Sequence, residues 1–292
     1  MKKEFNKGLL LTSLGSFWWG FIGVIYFEYV SFIGHVELVV HRCLWTAVML
    51  IFTTSFLSKW KIFFEIASNK NNLIGLFFSG ALIFINWAVW IYAVATDRII
   101  DASFGYFIMP IISVLLGFIF FKESLNKKRI FSIILVFVSI LILIFFNLKS
   151  LPWVGLIVAL SWAFYNLIRK KINIDTDVGL LIESLFIFPF ALFAFYLIMK
   201  NGQNDFNLSN PGFSLFLLLA GPMTVIPLFL YVRGVELIGL GPTGMIFYIT
   251  PTLQFILGYF YYNESFSIVK FVSFIIIWIA VIIYLKDLYE TN

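Results

Sequence analysis

Ten apolar runs, each near the length of a membrane-spanning helix, follow one another along this 292-residue chain with mostly short connections. About 20 apolar residues in a helix cross a hydrocarbon core of about 30 Å. Backbone groups in lipid must bond internally, so unbroken runs of this kind read as helices. The runs are Gly8–Phe27, Val36–Leu57, Leu73–Ala95, Phe104–Phe121, Ile130–Leu148, Pro152–Ile168, Gly179–Met199, Phe213–Val232, Thr243–Tyr262 and Val269–Leu285. The expectation is an all-α membrane protein with ten transmembrane helices. Composition agrees, with 62% hydrophobic and 12% charged residues, where soluble domains carry about 25% charged residues. The stretch from Lys200 to Gly212 reads as a surface loop, and no soluble domain is expected. The first run follows Lys2, Lys3 and Lys7, is too long for a signal core and lacks an A-x-A site. It is read as a retained span.

Orientation follows from Lys and Arg, which concentrate on the cytoplasmic side. With the N-terminus inside, fifteen fall in cytoplasmic segments, among them Lys59, Lys61, Lys127, Lys128, Arg129, Arg169, Lys170 and Lys171. Four fall outside: Arg98, Lys149, Lys200 and Lys270. Both termini are therefore expected in the cytoplasm. The net charge of +5 comes from these short clusters and not from a folded basic face, so no nucleic-acid partner is expected. The single Cys43 and the six-residue spacing of His35 and His41 give no metal cage, and no cofactor is expected.

The stretch Gly105–Ser124 aligns without gaps on Ile246–Ser265, an offset of 141 residues. Pro110/Pro251, Gly117/Gly258, Glu123/Glu264 and Ser124/Ser265 are among the identities. At the same offset His41–Trp45 falls on Ile182–Phe186. Residues 1–150 and 151–292 thus read as two five-helix repeats. Five is odd, so the second enters the membrane from the opposite side, as inverted repeats of secondary transporters do.

The segments HRCLW, NWAVWIYAV, DASFGYFIMP, SWAFYNLIRKK, LLIES and FYITPTLQFILGYFYYNES, in this order, resemble the drug/metabolite transporter superfamily. Within it the chain resembles EamA-type permeases, and more closely the RarD-like chloramphenicol-sensitivity permeases. The resemblance spans nearly the whole chain and implies a plasma-membrane (inner-membrane) transporter with a central cavity between its halves. The usual pattern has a glycine before the glutamate that closes the fourth and ninth spans; this chain has Lys122 and Asn263 there.

Few polar groups fall deep in the runs, where an Arg costs about 2.5–3.5 kcal/mol and so faces a cavity or a partner. One reading has His41 and Arg42 line the external vestibule and attract an anionic substrate. The other has Arg42 snorkel outward and His41 meet Glu37 one turn earlier. Glu183, matched to Arg42, either binds a substrate amine or a proton, or pairs with Arg169 or Lys170. Asn86, Trp87, Trp90 and Tyr92 lie on the third span, with Asn86 and Trp90 on one face. An amide among aromatic rings suits an amphipathic or aromatic metabolite; an interhelical hydrogen bond of about 0.6 kcal/mol is the competing reading. Pro110 and Pro251 read as hinges or fixed kinks, with Pro222 and Pro227 bending the eighth span. Ser113 and Gln254 are matched polar groups expected to face the cavity. Trp18, Trp19, Tyr165 and Asn166 form a further cluster, and Tyr106 and Tyr248 lie near helix starts; interfacial aromatic belts are the alternative. Glu123 and Glu264 read as structural, and Asp97, Arg98 and Asp101 as a loop cluster.

The leading expectation is a secondary transporter that moves a small metabolite or amphipathic drug-like molecule by alternating access. A small-molecule substrate and the lipid bilayer are its expected partners, and a homo-oligomer stays open. A non-transporting membrane sensor or binding protein is the first alternative. An intramembrane enzyme is the second, although the sequence places no catalytic constellation at membrane depth. No Walker loop is present to use ATP directly.

Overall fold

The structure, a computed structural model, describes residues 2–30, 32–95, 99–147, 153–202, 204–207, 209–261 and 267–291. Glu264, Asn263, Asp97 and Arg98 lie outside the described residues, as does the side chain of Asp101. The first apolar run forms α1 (Lys2–Phe17), a π turn (Trp18–Ile22) and α2 (Gly23–Tyr29). The first half continues with α3 (His35–Phe56), α4 (Trp60–Ser68), α5 (Lys70–Ala95), α6 (Ile99–Phe121) and α7 (Lys127–Asn147). The second half comprises α8 (Trp153–Ile172), α9 (Thr176–Lys200), α10 (Pro211–Leu218), α11 (Ala220–Ile238), α12 (Leu240–Ile246), α13 (Ile249–Phe260) and α14 (Ile268–Thr291). Among the described residues there is no strand.

Seven helical stretches among the described residues are long and apolar enough to cross a membrane: Lys3–Tyr29, His35–Phe56, Lys70–Trp90, Lys127–Phe146, Thr176–Lys200, Pro211–Ile238 and Ile268–Thr291. Three expected spans fall short of that standard for different reasons. The apolar part of α6, Gly105–Phe121, is shorter. α8 ends on Arg169, Lys170 and Lys171. The ninth run is divided at Phe247 and Tyr248 into α12 and α13. Pro251 stands four residues after Phe247, so it denies that carbonyl its helical partner. The matched Pro110 lies inside a continuous α6, so the two prolines act differently. Pro222 stands four residues after Leu218, where α10 gives way to α11. α4 falls where the sequence reads as a connection: nine residues are too few for a span, and only Ile66 is buried.

Helix starts recur at the sequence offset. His35 and Thr176 open α3 and α9, Ile99 and Leu240 open α6 and α12, and Lys127 and Ile268 open α7 and α14. The residues before the first pair, Gly34 and Asp175, share a backbone geometry (φ −54°, ψ 130° and φ −50°, ψ 126°). Packing partners also exchange with the halves. α1 lies on α11 as α8 lies on α5, and α3 lies on α11 as α5 lies on α9. The π turn lies on α13 as α8 lies on α6, while α3 with α9, α6 with α12 and α7 with α14 are self-matched pairs. Tyr248 donates its hydroxyl hydrogen to the carbonyl of Phe107, 141 residues earlier, at 2.7 Å. Residues matched at the offset thus meet where α6 faces the α12–α13 break.

The outer surface is apolar: Phe52, Phe56, Phe145, Phe190 and Phe260 are exposed. Water would not tolerate such a surface, and lipid would.

Candidate functional site

A cavity of about 330 Å³ lies between the halves. The π turn, α2, the first turns of α3, the later half of α5, α6, α8 and the α12–α13 break all contribute to its wall. The extra residue of a π turn rotates the side chains that follow it, which is how such turns often serve functional sites. Here Trp19 sits in the turn and reaches the cavity floor, 5.1 Å from Trp162 and 6.1 Å from Phe247 between ring centres. Gly20 permits this approach, because a Cβ there would come within 2.9 Å of the Thr250 carbonyl oxygen. Tyr106 completes the floor 5.9 Å from Phe247, its counterpart at the 141 offset.

Of the residues singled out in the sequence, Asn86, Trp87, Trp90, Arg42, Trp19, Tyr106 and Gln254 line this one cavity. Asn86 is buried, and its amide donates to the Val158 carbonyl at 2.8 Å and to Ser161 Oγ at 3.1 Å. It thus serves as an interhelical tie and as part of the wall. Arg42 is buried, with its guanidinium carbon 4.7 Å from the Phe27 ring centre and 4.8 Å from that of Trp87. Its Nε donates to Thr224 Oγ1 at 3.4 Å, and it takes part in no ion pair with the described residues.

Others lie elsewhere. His41 is fully buried on a different face of α3, 3.4 Å from Glu37 and accepting the indole hydrogen of Trp45 at 3.0 Å. Glu37 also accepts from the backbone of Asp205 and Phe206, so the loop after α9 covers this histidine. Tyr92 is exposed, within ring contact of Trp153, and lines a separate surface depression with Phe190. Ser113 is buried against Met109 Sδ at 3.2 Å and beside Gly244. Trp18 is likewise absent from the wall.

Tyr165, Asn166 and Glu183 lie beyond the floor. Tyr165 lies against Trp162, 5.6 Å between ring centres, and donates to Glu183 Oε2 at 3.3 Å. Asn166 donates to the Trp162 carbonyl at 2.8 Å. Glu183 also accepts from Ser79 and pairs with Arg169 at 3.6 Å, both side chains being almost wholly buried. Arg169 approaches Glu236 at 4.0 Å, and Glu236 accepts from Thr176 and Arg233. Glu123 accepts from Lys170 Nζ at 2.7 Å and from the amides of Leu240 and Gly241 at 2.8 Å each. A carboxylate of the first half thus caps the N-terminus of α12 in the second. These contacts seal the end of the molecule where α8 stops and α9 begins. The cavity lies toward the opposite end, with Glu28 and His35 among its lining.

Sequence reasoning missed Trp162, Phe247, Phe27, Glu28 and Thr250 as wall residues. The 141 offset alone pairs Phe247 with Tyr106, which was a usable signal. Glu28 is charged and matched to Arg169 at the same offset, while Trp162, Phe27 and Thr250 look like any residue of an apolar run.

The model of the EamA-like transporter family matches residues 6–145 and again 150–286. An uncharacterized transporter, YojE of Bacillus subtilis, is 34% identical over 96% of this chain and 94% of its own length. Protein RarD of Escherichia coli is 30% identical over 99% of this chain and 97% of its own. A protein of Pseudomonas aeruginosa described as chloramphenicol-sensitive protein RarD is 26% identical over 70% of this chain and 68% of its own. A crystal structure of 12% sequence identity superposes with a TM-score of 0.71 over 95% of this chain and 96% of that one, a likeness of fold.

Proposed function

The chain belongs to the EamA-like transporter family and is a multi-pass membrane protein, and from that premise we propose that it is a secondary permease of the plasma membrane. It moves a small metabolite or amphipathic drug-like molecule through the cavity between its halves by alternating access. The observation that carries this reading is the position of the cavity, at the meeting of helices whose starts and packing partners exchange at one 141-residue offset. Two such halves, inverted in the membrane, can each take the other's shape, and the exchange moves the opening from one side to the other. The reading has ten spans, five from each of residues 1–150 and 151–292, with both termini cytoplasmic.

The seal around Glu183 then lies at the cytoplasmic end, where the basic clusters gather. Lys59 bridges Asp175 and Asp177 there, at 3.0 and 2.7 Å. The cavity in this state belongs to the external side. Proteoliposomes test the reading: uptake and efflux against a panel of amino acids, aromatic metabolites and amphipathic antibiotics, with and without a pH gradient. Saturable flux that Trp19→Ala and Trp87→Ala reduce is expected. Saturable binding without flux of any panel member, in either direction, would favour a sensor instead.

A further inference from the structure

The 141 offset aligns two charged pairs. Arg169 and Glu183 of the second half match Glu28 and Arg42 of the first, with the charges exchanged. In the second half the pair is closed: the two side chains meet at 3.6 Å, 1% and 3% exposed. In the first half the residues stay apart, with Glu28 exposed at the mouth of the cavity and Arg42 8% exposed in its wall. Among the described residues Arg42 forms one hydrogen bond, from Nε to Thr224. Its terminal nitrogens, four N–H bonds in all, bond to nothing among the described residues and are not among the occluded buried atoms.

We infer that the ligand of this cavity is a small organic anion with an apolar or aromatic body, and that its carboxylate docks on the terminal nitrogens of Arg42. The inference rests on the permease reading for what the cavity does. A buried guanidinium without a counter-charge among the described residues is costly, and a carboxylate accepting two parallel N–H bonds is the group that best satisfies it. The fold shows this solution at the matched place, where a buried carboxylate answers Arg169. Phe27 and Trp87 hold the guanidinium from their ring faces, which fixes its direction while leaving its edge open. Trp19, Trp90 and Trp162 supply a wall for a flat apolar body. The volume of about 330 Å³ is that of a compact ligand. A cation would meet Arg42, and a neutral amphiphile would leave it unanswered.

The test is calorimetric titration of the full chain in lipid nanodiscs with three probes of one shape: 3-phenylpropionate, its amide and 3-phenylpropylamine. The acid is expected to bind at least about tenfold tighter than the amide, which corresponds to about 1.4 kcal/mol, and the amine weakest. Arg42→Gln should erase the acid–amide gap while leaving amide binding in place, and Arg42→Lys should keep part of it. Glu28→Gln, which removes a negative charge at the mouth, should tighten the acid severalfold. If the acid fails to bind or binds no tighter than the amide, the inference is wrong without recourse to any variant. A gap that survives in Arg42→Gln, or looser acid binding in Glu28→Gln, overturns it too. Flux assays separate it from the reading beneath it. Acid-selective binding with no flux of any solute removes the permease reading and leaves the anion site. Flux of neutral or cationic solutes with no acid preference removes the anion site alone.

Discussion

Lys122 closes α6 with φ at 53°, in the left-handed region where the family pattern has a glycine. The turn keeps its form, since the Glu123 amide reaches back to the Gly117 carbonyl at 3.1 Å. A side chain in this region costs about 1–2 kcal/mol, and glycine recovers that less its own entropic penalty of about 0.5–1 kcal/mol. Lys122→Gly should therefore raise stability by up to about 1.5 kcal/mol in thermal unfolding, and Lys122→Ala should not; equal effects would place the cause in the lost charge. Asn86 gives a second prediction at this scale. Its amide ties α5 to α8, and interhelical bonds of this kind contribute about 0.6 kcal/mol and at most about 1.7. Asn86→Ala should lower the unfolding midpoint modestly and leave the protein in the membrane. A loss of more than about 2 kcal/mol would mean that a wider network depends on it.

Single elements are held across the halves by charges at their ends. Glu123 caps α12 from the end of α6, and Lys170 neutralises it. Loss of a cap costs about 0.5–2 kcal/mol, so Glu123→Ala should destabilise by that order. It should also speed hydrogen exchange at the Leu240 and Gly241 amides more than elsewhere; uniform faster exchange would mean global weakening instead. At the start of α9, Asp175 accepts from the Val178 amide and pairs with Lys59. Partial burial pushes its carboxyl up. Its hydrogen bond with Asp177, the Lys59 ammonium and the Val178 amide together hold it below the usual carboxylate range. A lowered folded value means stability that is present at neutral pH and is lost as the pH falls from the ordinary carboxylate range through the lowered one. Asp175→Asn keeps an amide oxygen for the cap and removes that dependence. The acid limb of its thermal-stability profile should be shallower than that of the parent; an identical limb would assign the dependence to other carboxylates.

For the whole molecule, two measurements test topology and mechanism. A reporter at Asn204 should read external and tags at both termini internal; an internal signal at Asn204 overturns the inversion. Cys43 is the only cysteine, and Cys43→Ser gives a background for labelling. His35 and Thr176 occupy matched helix starts, the first in the cavity wall and the second buried in the seal. In that background His35→Cys should label with a membrane-impermeant reagent from outside, while Thr176→Cys is protected. Weakening the seal with Glu183→Gln should slow the first and expose the second from inside. Two rates that rise together would mean a channel-like opening. The shift produced by a ligand is limited by its differential affinity for the two states.

The apolar runs by themselves determined the helical class, because lipid leaves helices and closed barrels to satisfy the backbone, and runs of about 20 apolar residues fit the helix and not the shorter, alternating barrel strand. The 141-residue match likewise located the matched prolines Pro110 and Pro251 and the Arg42/Glu183 correspondence. Periodicity is local, and it was sufficient for what depends on neighbours in sequence. Which polar group faces the cavity was not local. His41 and Arg42 are adjacent in sequence, yet α3 turns one under the loop at Phe206 and the other into the cavity wall, because consecutive residues on a helix point about 100° apart. Trp162, Phe247 and Thr250 entered the site through the packing of α8 and the α12–α13 break against the π turn. Glu28 and Arg42 stand apart while Arg169 and Glu183 meet, although the offset relates both pairs. Only the tertiary arrangement decided that difference, because the cavity opens beside Glu28 and Arg42 of the first half while the matched end of the second half is closed.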